Sequence, residues 1–332
     1  MKVTRKMVNK QLRFRGMLLD RLVTKSSEEK FIQSMHNSKE QMDKRFKGKD
    51  VEGLDCSEEW VSRGDGSSIR VRIYKPRAAV KELPGVLWMH GGGYAQGVPE
   101  MSGDMYKRLI DTSDCVIVAP DYRLSIDAPY PAALDDCYKV LVWMKNHAEE
   151  LGICEDQLMA GGESAGGGLT VAVALLARDR GDVHLAFHMP LYPMLDDRML
   201  SESARENNAY VWNSATNRWG WKLYLGDLYG RNVPSYAAPG RAVDCRNLPP
   251  AVTFVGDLEP FRDETIRYVE NLRAIGIPVD FRIYKGAYHG FDIINPNADI
   301  SKAARDFLME SFNYATVHYF APQPSSLNRH HT

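Results

Sequence analysis

Ser164 lies in a pentapeptide whose composition suits a catalytic nucleophile. Gly162-Glu-Ser-Ala-Gly166 stands between two apolar stretches, which predicts a strand, a tight turn with the serine at its apex, and a helix. A side chain at either glycine would obstruct that turn, because strand and helix approach closely there. The turn also places the hydroxyl at the helix N-terminus, where free N–H groups favour developing negative charge. A simple Gly/Ser turn would have the same five residues, so the interpretation depends on the rest of the chain.

A serine hydroxyl is a poor nucleophile until a base takes its proton. His289 is the candidate base among nine histidines, because it lies on a Gly-flanked loop directly after the last predicted strand. The acid that orients such a histidine is expected on the loop after the preceding strand. The spacing alone leaves this acid open among the carboxylates of that loop, which are Asp257, Glu259, Asp263 and Glu264.

A run of glycines follows an earlier buried strand, in His90-Gly-Gly-Gly93. Glycines expose backbone N–H groups with no side chains to block them. With the N–H of Ala165, those of Gly91 and Gly92 predict an oxyanion hole, in which one donor is worth on the order of 10²–10³ in rate. The run does not predict a phosphate site, because the Walker lysine is missing and G-x-G-x-x-G does not fit.

Short apolar strands alternate with helices through most of the chain, which predicts an α/β fold with a mostly parallel sheet covered on both faces. An antiparallel hairpin around Gly64-Asp-Gly66 precedes this alternation. The later strands are predicted at 85–89, 115–119, 186–191, 251–255 and 279–284, besides the one before Ser164. Helices are predicted at 131–151, 261–275 and 301–317, besides the one after Ser164.

Two regions fall outside the alternation. Residues 1–50 are helix-like, with eight basic residues against one acid between Lys2 and Lys25, and Ser26 to Glu29 form a capping box. We favour a helical flap packed on the main domain over a helix bound to a membrane surface, because the apolar face is short of aromatics. Residues 196–233 are rich in Trp and Tyr without a strand pattern, which suits a roof over a ligand site or a packing insert.

The composition is that of an ordinary globular protein, with 332 residues, 44% hydrophobic residues and a net charge of −1. That charge gives no sign of a nucleic-acid partner. No apolar run reaches 18 residues, so we expect no membrane span. Five scattered cysteines without a C-x-x-C motif favour the reducing cytoplasm.

Six short motifs occur along the chain between about residues 57 and 317. They are His90-Gly-Gly-Gly-Tyr94, Asp121-Tyr-Arg-Leu124, Pro129-Tyr-Pro-Ala-Ala133, Gly162-Glu-Ser-Ala-Gly-Gly167, Glu259-Pro-Phe-Arg-Asp-Glu264 and His289-Gly-Phe291. The chain order serine, acid, histidine is that of the α/β-hydrolase type. On these motifs the chain resembles the hormone-sensitive-lipase family of α/β-hydrolases, the group of bacterial esterases marked by an H-G-G-G motif.

This resemblance implies a domain plan. A cap segment at 1–55 and a cap insertion at about 196–233 would cover a catalytic domain at 56–320, and we expect a disordered tail at 321–332. The family's catalytic aspartate column is Glu259 here, so the resemblance favours Glu259, with Asp257 as the second choice. The family usually has Asp or Thr before the serine, where this chain has Glu163.

We therefore expect a serine carboxylesterase with Ser164 as nucleophile, His289 as base and Glu259 as acid, and with no metal or cofactor. The resemblance implies short acyl chains and a homodimer through the strand near 279–284. The predicted pocket is apolar, with Tyr94, Tyr192 and Trp212 as its candidates. Two alternatives use the same fold: a hydrolase of amides, carbamates or lactones, and a non-catalytic small-molecule receptor.

Overall fold

The computed structural model describes residues 1–22, 27–78 and 82–324, and its centre is one eight-stranded sheet. The spatial strand order is β1-β2-β4-β3-β5-β6-β7-β8. The β1–β2 and β2–β4 pairs are antiparallel and all the others are parallel. The strands are β1 (Leu54–Ser62), β2 (Ser68–Pro76), β3 (Leu83–Met89), β4 (Val116–Pro120), β5 (Ile153–Glu163), β6 (Phe187–Leu191), β7 (Ala251–Gly256) and β8 (Val279–Tyr284).

Helices cover both faces of this sheet. They are α1 (Arg13–Leu22), α2 (Glu28–Phe46), α3 (Gly103–Thr112), α4 (Ala132–Asn146), α5 (Ala148–Leu151), α6 (Ala165–Arg180), α7 (Ser214–Leu225), α8 (Arg262–Ala274), α9 (Phe291–Ile294) and α10 (Asp299–His318). The apolar residues of α4, α6 and α8 join one core cluster, and those of α3 and α10 join the other. The α/β-hydrolase fold class predicted from the sequence is confirmed.

The side-chain alternation along β3 shows how one strand serves both cores. Leu87 and Met89 belong to the cluster under α4 and α6, whereas Val86 and Trp88 belong to the cluster under α3 and α10. Successive side chains of a strand point to opposite faces, so a strand buried on both faces is apolar throughout. The continuous apolar runs of the sequence have this cause.

The helix predicted over 131–151 differs from the observed one. It divides into α4 and α5 at His147, whose backbone angles (φ −119°, ψ 24°) leave the helical region, and Gly152 ends α5 in the left-handed region. The helix α3 was missed, although Tyr106, Leu109 and Ile110 repeat at helical spacing and are buried.

A buried ion pair joins the hairpin to α4. The carboxylate of Asp136 is completely buried and accepts hydrogen bonds from Arg63 of the hairpin turn and from Arg123, each with its closest contact at 2.8 Å. Burial opposes ionisation of Asp136, but these hydrogen bonds outweigh it and lower the pKa of the carboxyl. A charge in this position depends entirely on its two partners.

The N-terminal region packs on the body of the protein. Helix α1 begins at Arg13, later than the sequence pattern indicates, and Ser27 caps α2, while Ser26 lies outside the described residues. On α2, Phe31 is buried with its ring centroid 6.2 Å from that of Trp212 and 5.5 Å from that of Trp219, both in the 196–233 region. The two regions predicted to form a cap therefore touch. The domain boundaries stay a prediction, although β1 begins at Leu54, inside the segment assigned to the cap.

The two ends of the described chain add two findings. The first four residues of the expected disordered tail are held: Ala321 N–H donates to the Asp156 carbonyl at 2.8 Å, and Gln323 N–H to its carboxylate at 3.1 Å. Residues 325–332 lie outside the described residues. Across residues 1–22, 27–78 and 82–324, no helix is both long and apolar enough to cross a bilayer. The homodimer through β8, an edge strand, stays a prediction.

Candidate active site

The serine turn connects β5 directly to α6. Ser164 has φ 61° and ψ −117°, a combination that L-residues rarely adopt. Its N–H donates to the carbonyl of Leu191 at 2.9 Å, and its carbonyl accepts from the N–H groups of Gly168 and Met194. These main-chain bonds hold a strained residue at the C-terminal edge of the sheet, as expected where strain serves a functional site.

The two flanking glycines are required by close backbone approach. A Cβ on Gly166 would lie 2.0 Å from the carbonyl oxygen of Met89 in β3, and one on Gly162 would lie 2.4 Å from the same atom. Any side chain at either position would displace β3 or open the turn. The steric argument made from the sequence is confirmed at both positions.

Ser164, His289 and Glu259 form a chain of hydrogen bonds. His289 Nε2 is 2.7 Å from Ser164 Oγ, and His289 Nδ1 is 2.5 Å from Glu259 Oε2. Glu259 is fully buried after β7, and its other oxygen accepts the N–H of Gly256 at 2.8 Å. His289 follows β8 on the neighbouring loop. With Nδ1–H donating to the carboxylate, Nε2 accepts the serine proton, the arrangement that general-base catalysis needs.

The other carboxylates of the acid loop have different partners. Asp257 accepts the N–H of Gly286 at 2.7 Å and so holds the loop that leads to His289. Asp263 accepts the N–H of Ser203 at 2.8 Å, and Glu264 accepts that of Leu195 at 2.7 Å. Asp257 therefore ties one loop to another, whereas Asp263 and Glu264 tie the first turn of α8 to residues 203 and 195, respectively. Only Glu259, among the four candidates, is within hydrogen-bond distance of His289.

Aromatic rings surround His289. The centroid of its ring lies 5.1 Å from that of Tyr192 and 5.0 Å from that of Phe261, with both pairs edge-on. The indole of Trp212 is 6.4 Å away and covers Gly93, where an added Cβ would lie 2.6 Å from the indole. This apolar enclosure limits water around the imidazole and strengthens its interaction with the carboxylate.

The predicted oxyanion residues border the serine. A Cβ on Gly91 would lie 3.0 Å from the carbonyl oxygen of Glu163 and 3.5 Å from Ser164 Cβ, so Gly91 touches the turn. Gly92 follows with φ 124°, a conformation that favours glycine. Ala165 is the first residue of α6, so its N–H has no acceptor within the helix. The main-chain donors at 91, 92 and 165 thus come from elements that meet at Ser164.

His90 holds the glycine loop through a contact with the main chain of Gly91. Its ring stacks on Tyr122 with centroids 4.3 Å apart, and its Nδ1 is 2.8 Å from the carbonyl oxygen of Gly91. Burial lowers the pKa of His90, which favours the neutral ring with Nδ1–H as the donor. The histidine of the H-G-G-G motif therefore orients the peptide unit that carries the N–H of Gly92.

Tyr94 lies apart from the other two pocket candidates. It is buried against α6, with its ring centroid 3.8 Å from that of Tyr224 and its hydroxyl donating to the carbonyl of Met194 at 3.3 Å. The rings of Tyr192 and Trp212 both contact His289, whereas the ring of Tyr94 contacts those of Tyr224 and Trp221.

Glu163 has a role that the sequence analysis did not foresee. Its carboxylate accepts Trp88 Nε1–H at 2.7 Å and the Ser102 hydroxyl at 2.6 Å, so it ties the serine turn to β3 and to the segment before α3. Burial raises the pKa of Glu163 to about 7, although both hydrogen bonds oppose the rise. Asp292, whose pKa burial raises to about 6, lines the same cavity of about 100 Å³. The signal for this role in the sequence was the residue itself, because Glu163 stands where the family usually has Asp or Thr.

No cluster of three or more His, Cys, Asp or Glu side chains suited to a metal ion occurs in the part of the chain that the structure describes. The site described above consists of side chains and main-chain N–H groups.

Comparison with known proteins finds relatives of the same fold. The family described as the alpha/beta hydrolase fold matches residues 86–293. Esterase LipI of Mycobacterium tuberculosis is 34% identical over 235 residues, 69% of this chain and 72% of its own length. An arylesterase of Saccharolobus solfataricus is 32% identical over 67% of this chain and 72% of its own. The solved structure titled "Bacterial Heroin Esterase" superposes with a TM-score of 0.84 at 28% identity, covering 95% of this chain and 99% of its own.

The chain therefore belongs to the alpha/beta hydrolase fold family. The resemblance to hormone-sensitive-lipase-type esterases is confirmed.

Proposed function

We propose that this chain is a serine carboxylesterase that hydrolyses short-chain acyl esters through an acyl-enzyme. The observation that carries the proposal is the hydrogen-bonded chain Ser164–His289–Glu259 at the edge of the sheet. The esterase relatives support ester hydrolysis as the reaction class. The same bonded series argues against the receptor alternative, which would lack a member of the triad.

In the first half-reaction, His289 Nε2 takes the hydroxyl proton as Ser164 Oγ attacks the ester carbonyl. The imidazolium that forms lies against the buried carboxylate of Glu259, which stabilises the positive charge. The carbonyl oxygen becomes an oxyanion and accepts hydrogen bonds from the N–H groups of Gly91, Gly92 and Ala165. His289 then protonates the leaving alcohol, and the acyl group remains on the serine.

The second half-reaction repeats these proton transfers with water. His289 removes a proton from the water that attacks the acyl-enzyme, the same N–H groups hold the new oxyanion, and the proton returns to Ser164 as the acid leaves.

Enclosure of the site supports a short acyl chain. Ser164 is 8% exposed and His289 6%, and Trp212 covers the neighbouring Gly93. Phe31 of α2 packs edge-on against that indole, so the roof is continuous with the N-terminal region. An apolar space of limited length accepts a small acyl group and excludes a long one.

The test is hydrolysis of p-nitrophenyl esters from acetate to dodecanoate by wild type, Ser164→Ala, Glu259→Gln and Asp257→Asn. We expect wild-type turnover to be highest on the short esters and Ser164→Ala to be inactive. Glu259→Gln should lose about 10³–10⁴-fold in kcat, because an uncharged group neither stabilises the imidazolium nor fixes its tautomer. Asp257→Asn is the matched control on the same loop, since Asp257 bonds Gly286 and not His289.

Two outcomes would change the proposal. A large loss in Asp257→Asn with near-normal Glu259→Gln would reassign the acid and keep the enzyme class. If wild type turns over no ester but hydrolyses an amide, carbamate or lactone, the reaction class proposed here is wrong.

A further inference from the structure

Residues 1–22, here called the N-terminal segment, use one face to pack on the loop that carries His289. Val8 and Leu12 are buried in the core cluster of α3 and α10. The N–H of Asn9 donates to the carbonyl of Gly286 at 2.9 Å, and the Tyr288 hydroxyl donates to the carbonyl of Leu12 at 3.1 Å. The inner face of this segment therefore packs against the body of the protein through Val8, Asn9 and Leu12.

The outer face carries large apolar side chains. Phe14 is 73% exposed, Leu18 51% and Met7 43%. Phe14 and Leu18 are four residues apart on α1, so they lie on the same side of the helix. Single exposed apolar residues are ordinary, but Phe14 and Leu18 on one face of α1 form an exposed apolar pair, and Met7 is a third exposed apolar residue of the same segment.

Basic side chains accompany this patch. The segment contains one acid, Asp20, against seven bases, in a chain whose net charge is −1. Arg13 donates to the carbonyls of Lys6 and Val8, and Arg15 to that of Ile294, so their hydrogen bonds leave their charges uncompensated. Among the described residues, no carboxylate forms an ion pair with any of the seven, which are Lys2, Arg5, Lys6, Lys10, Arg13, Arg15 and Arg21.

We propose that the N-terminal segment docks the protein on an anionic phospholipid surface, with Phe14, Leu18 and Met7 entering the interface. A segment that combines exposed apolar side chains, two of them on the helix α1, with unpaired Lys and Arg has the chemistry of interfacial binding. The sequence pattern alone favoured a flap, since α1 offers few aromatics. The structure assigns the flap contacts to Val8 and Leu12 and leaves Phe14 outside.

A polyanion without an apolar phase is a different partner. Nucleic acids and acidic proteins would bind the charges of the segment. Without a matching apolar or stacking surface, they would leave Phe14 and Leu18 exposed to water. The exposed apolar residues therefore favour lipid and define the test.

The orientation that follows is specific. The inner face of the segment contacts residues 286–288, directly before His289. A surface bound by the outer face thus lies on the same side of the molecule as the histidine loop.

The test is sedimentation of the full chain with phosphatidylcholine vesicles, with and without phosphatidylglycerol. We expect binding to the anionic vesicles, little to the neutral ones, and loss at high salt. Phe14→Ser/Leu18→Ser should weaken binding by about tenfold or more, because the apolar contribution is removed. Lys6→Gln/Lys10→Gln should weaken it about fivefold for each charge. Tyr314→Ser/Val317→Ser is the matched control, since both residues are exposed on α10, and it should bind like wild type.

Thermal unfolding checks that each variant is folded, because exposed residues contribute little to stability. Wild type that stays in the supernatant with anionic vesicles would overturn the proposal. So would full retention of binding in Phe14→Ser/Leu18→Ser, because the protein would then adhere by charge alone. Binding of wild type to heparin or RNA without binding to anionic vesicles would likewise assign the surface to polyanions and not to lipid.

Discussion

Replacement of Glu163 by glutamine tests how the serine turn responds to pH. Glu163 directly precedes Ser164, is 8% exposed, and accepts hydrogen bonds from Trp88 and Ser102. Burial raises its pKa from 4.5 to about 7, and the charge of Asp292 in the same cavity adds to the rise. Glutamine has the same shape and can accept the Trp88 bond, but it cannot ionise.

The sign follows from proton binding. Between pH 4.5 and about pH 7 the folded chain holds the Glu163 proton more tightly than the unfolded chain, so the free energy of unfolding falls as pH rises through this window. The fall from this one group is about 3 kcal/mol and is complete above pH 7, since a tenfold change in proton affinity is worth about 1.4 kcal/mol. The glutamine variant lacks this contribution and should gain about 3 kcal/mol over wild type between about pH 4.5 and about pH 8.

The assay is urea unfolding of wild type and Glu163→Gln at a series of pH values from about 4.5 to about 8.5, which spans the window set by the pKa rise. Other titrating groups are present in both proteins and cancel in the difference, except Asp292, whose charge is coupled to that of Glu163. Glu150→Gln is the matched control, because it makes the same chemical change at an exposed position on α5.

Parallel curves for wild type and Glu163→Gln would refute the reasoning. They would mean that the Glu163 carboxylate ionises in the folded protein as readily as in the unfolded chain, for which water would have to reach it through the cavity beside Asp292.

Three further substitutions probe packing near the site and the buried ion pair of α4. Gly16→Ala places a Cβ 2.5 Å from the Tyr288 ring, so an overpacking cost of about 1–3 kcal/mol should exceed the helix-propensity gain of about 1 kcal/mol. Displacement of the neighbouring histidine loop should lower kcat more than tenfold, and unchanged ester kinetics would disprove this coupling. Asp136→Ala removes the hydrogen bonds of two partly exposed arginines and should lower the urea-unfolding free energy by about 1.5–3 kcal/mol. A loss under about 1 kcal/mol would contradict this. Trp212→Ala removes the indole over Gly93 and should shift the preference towards longer p-nitrophenyl esters; an unchanged chain-length profile would place the acyl group elsewhere.

Much of the fold was predictable because its signals are local. The strands on both sides of Ser164 are apolar runs of strand length, and the turn between β5 and α6 needs glycines that the motif supplies. Ser164 follows β5, the acid loop follows β7 and His289 follows β8, so their order along the chain is the order of these strands. The predicted ends of helices and strands were less accurate, as the division at His147 shows, because the end of a helix depends on its contacts with neighbouring elements.

Contacts between distant residues were not predictable. Several carboxylates share the acid loop, and only the path of that loop beside β8 puts Glu259 at 2.5 Å from His289 while Asp257 turns to Gly286. Likewise Tyr94 follows the glycine loop in sequence, yet stacking on Tyr224 from the 196–233 region takes it away from His289.

The sequence by itself determined the class of fold, the nucleophile turn and the likeness to a hydrolase family, because these depend on residue types at fixed short spacings. Only the tertiary structure decided which carboxylate meets His289, that Glu163 is a buried acid bonded to Trp88, and that Phe14 points outward while Leu12 points inward. The reason is physical: burial, pKa and exposure of a side chain are set by neighbours that are distant along the chain and meet only on folding.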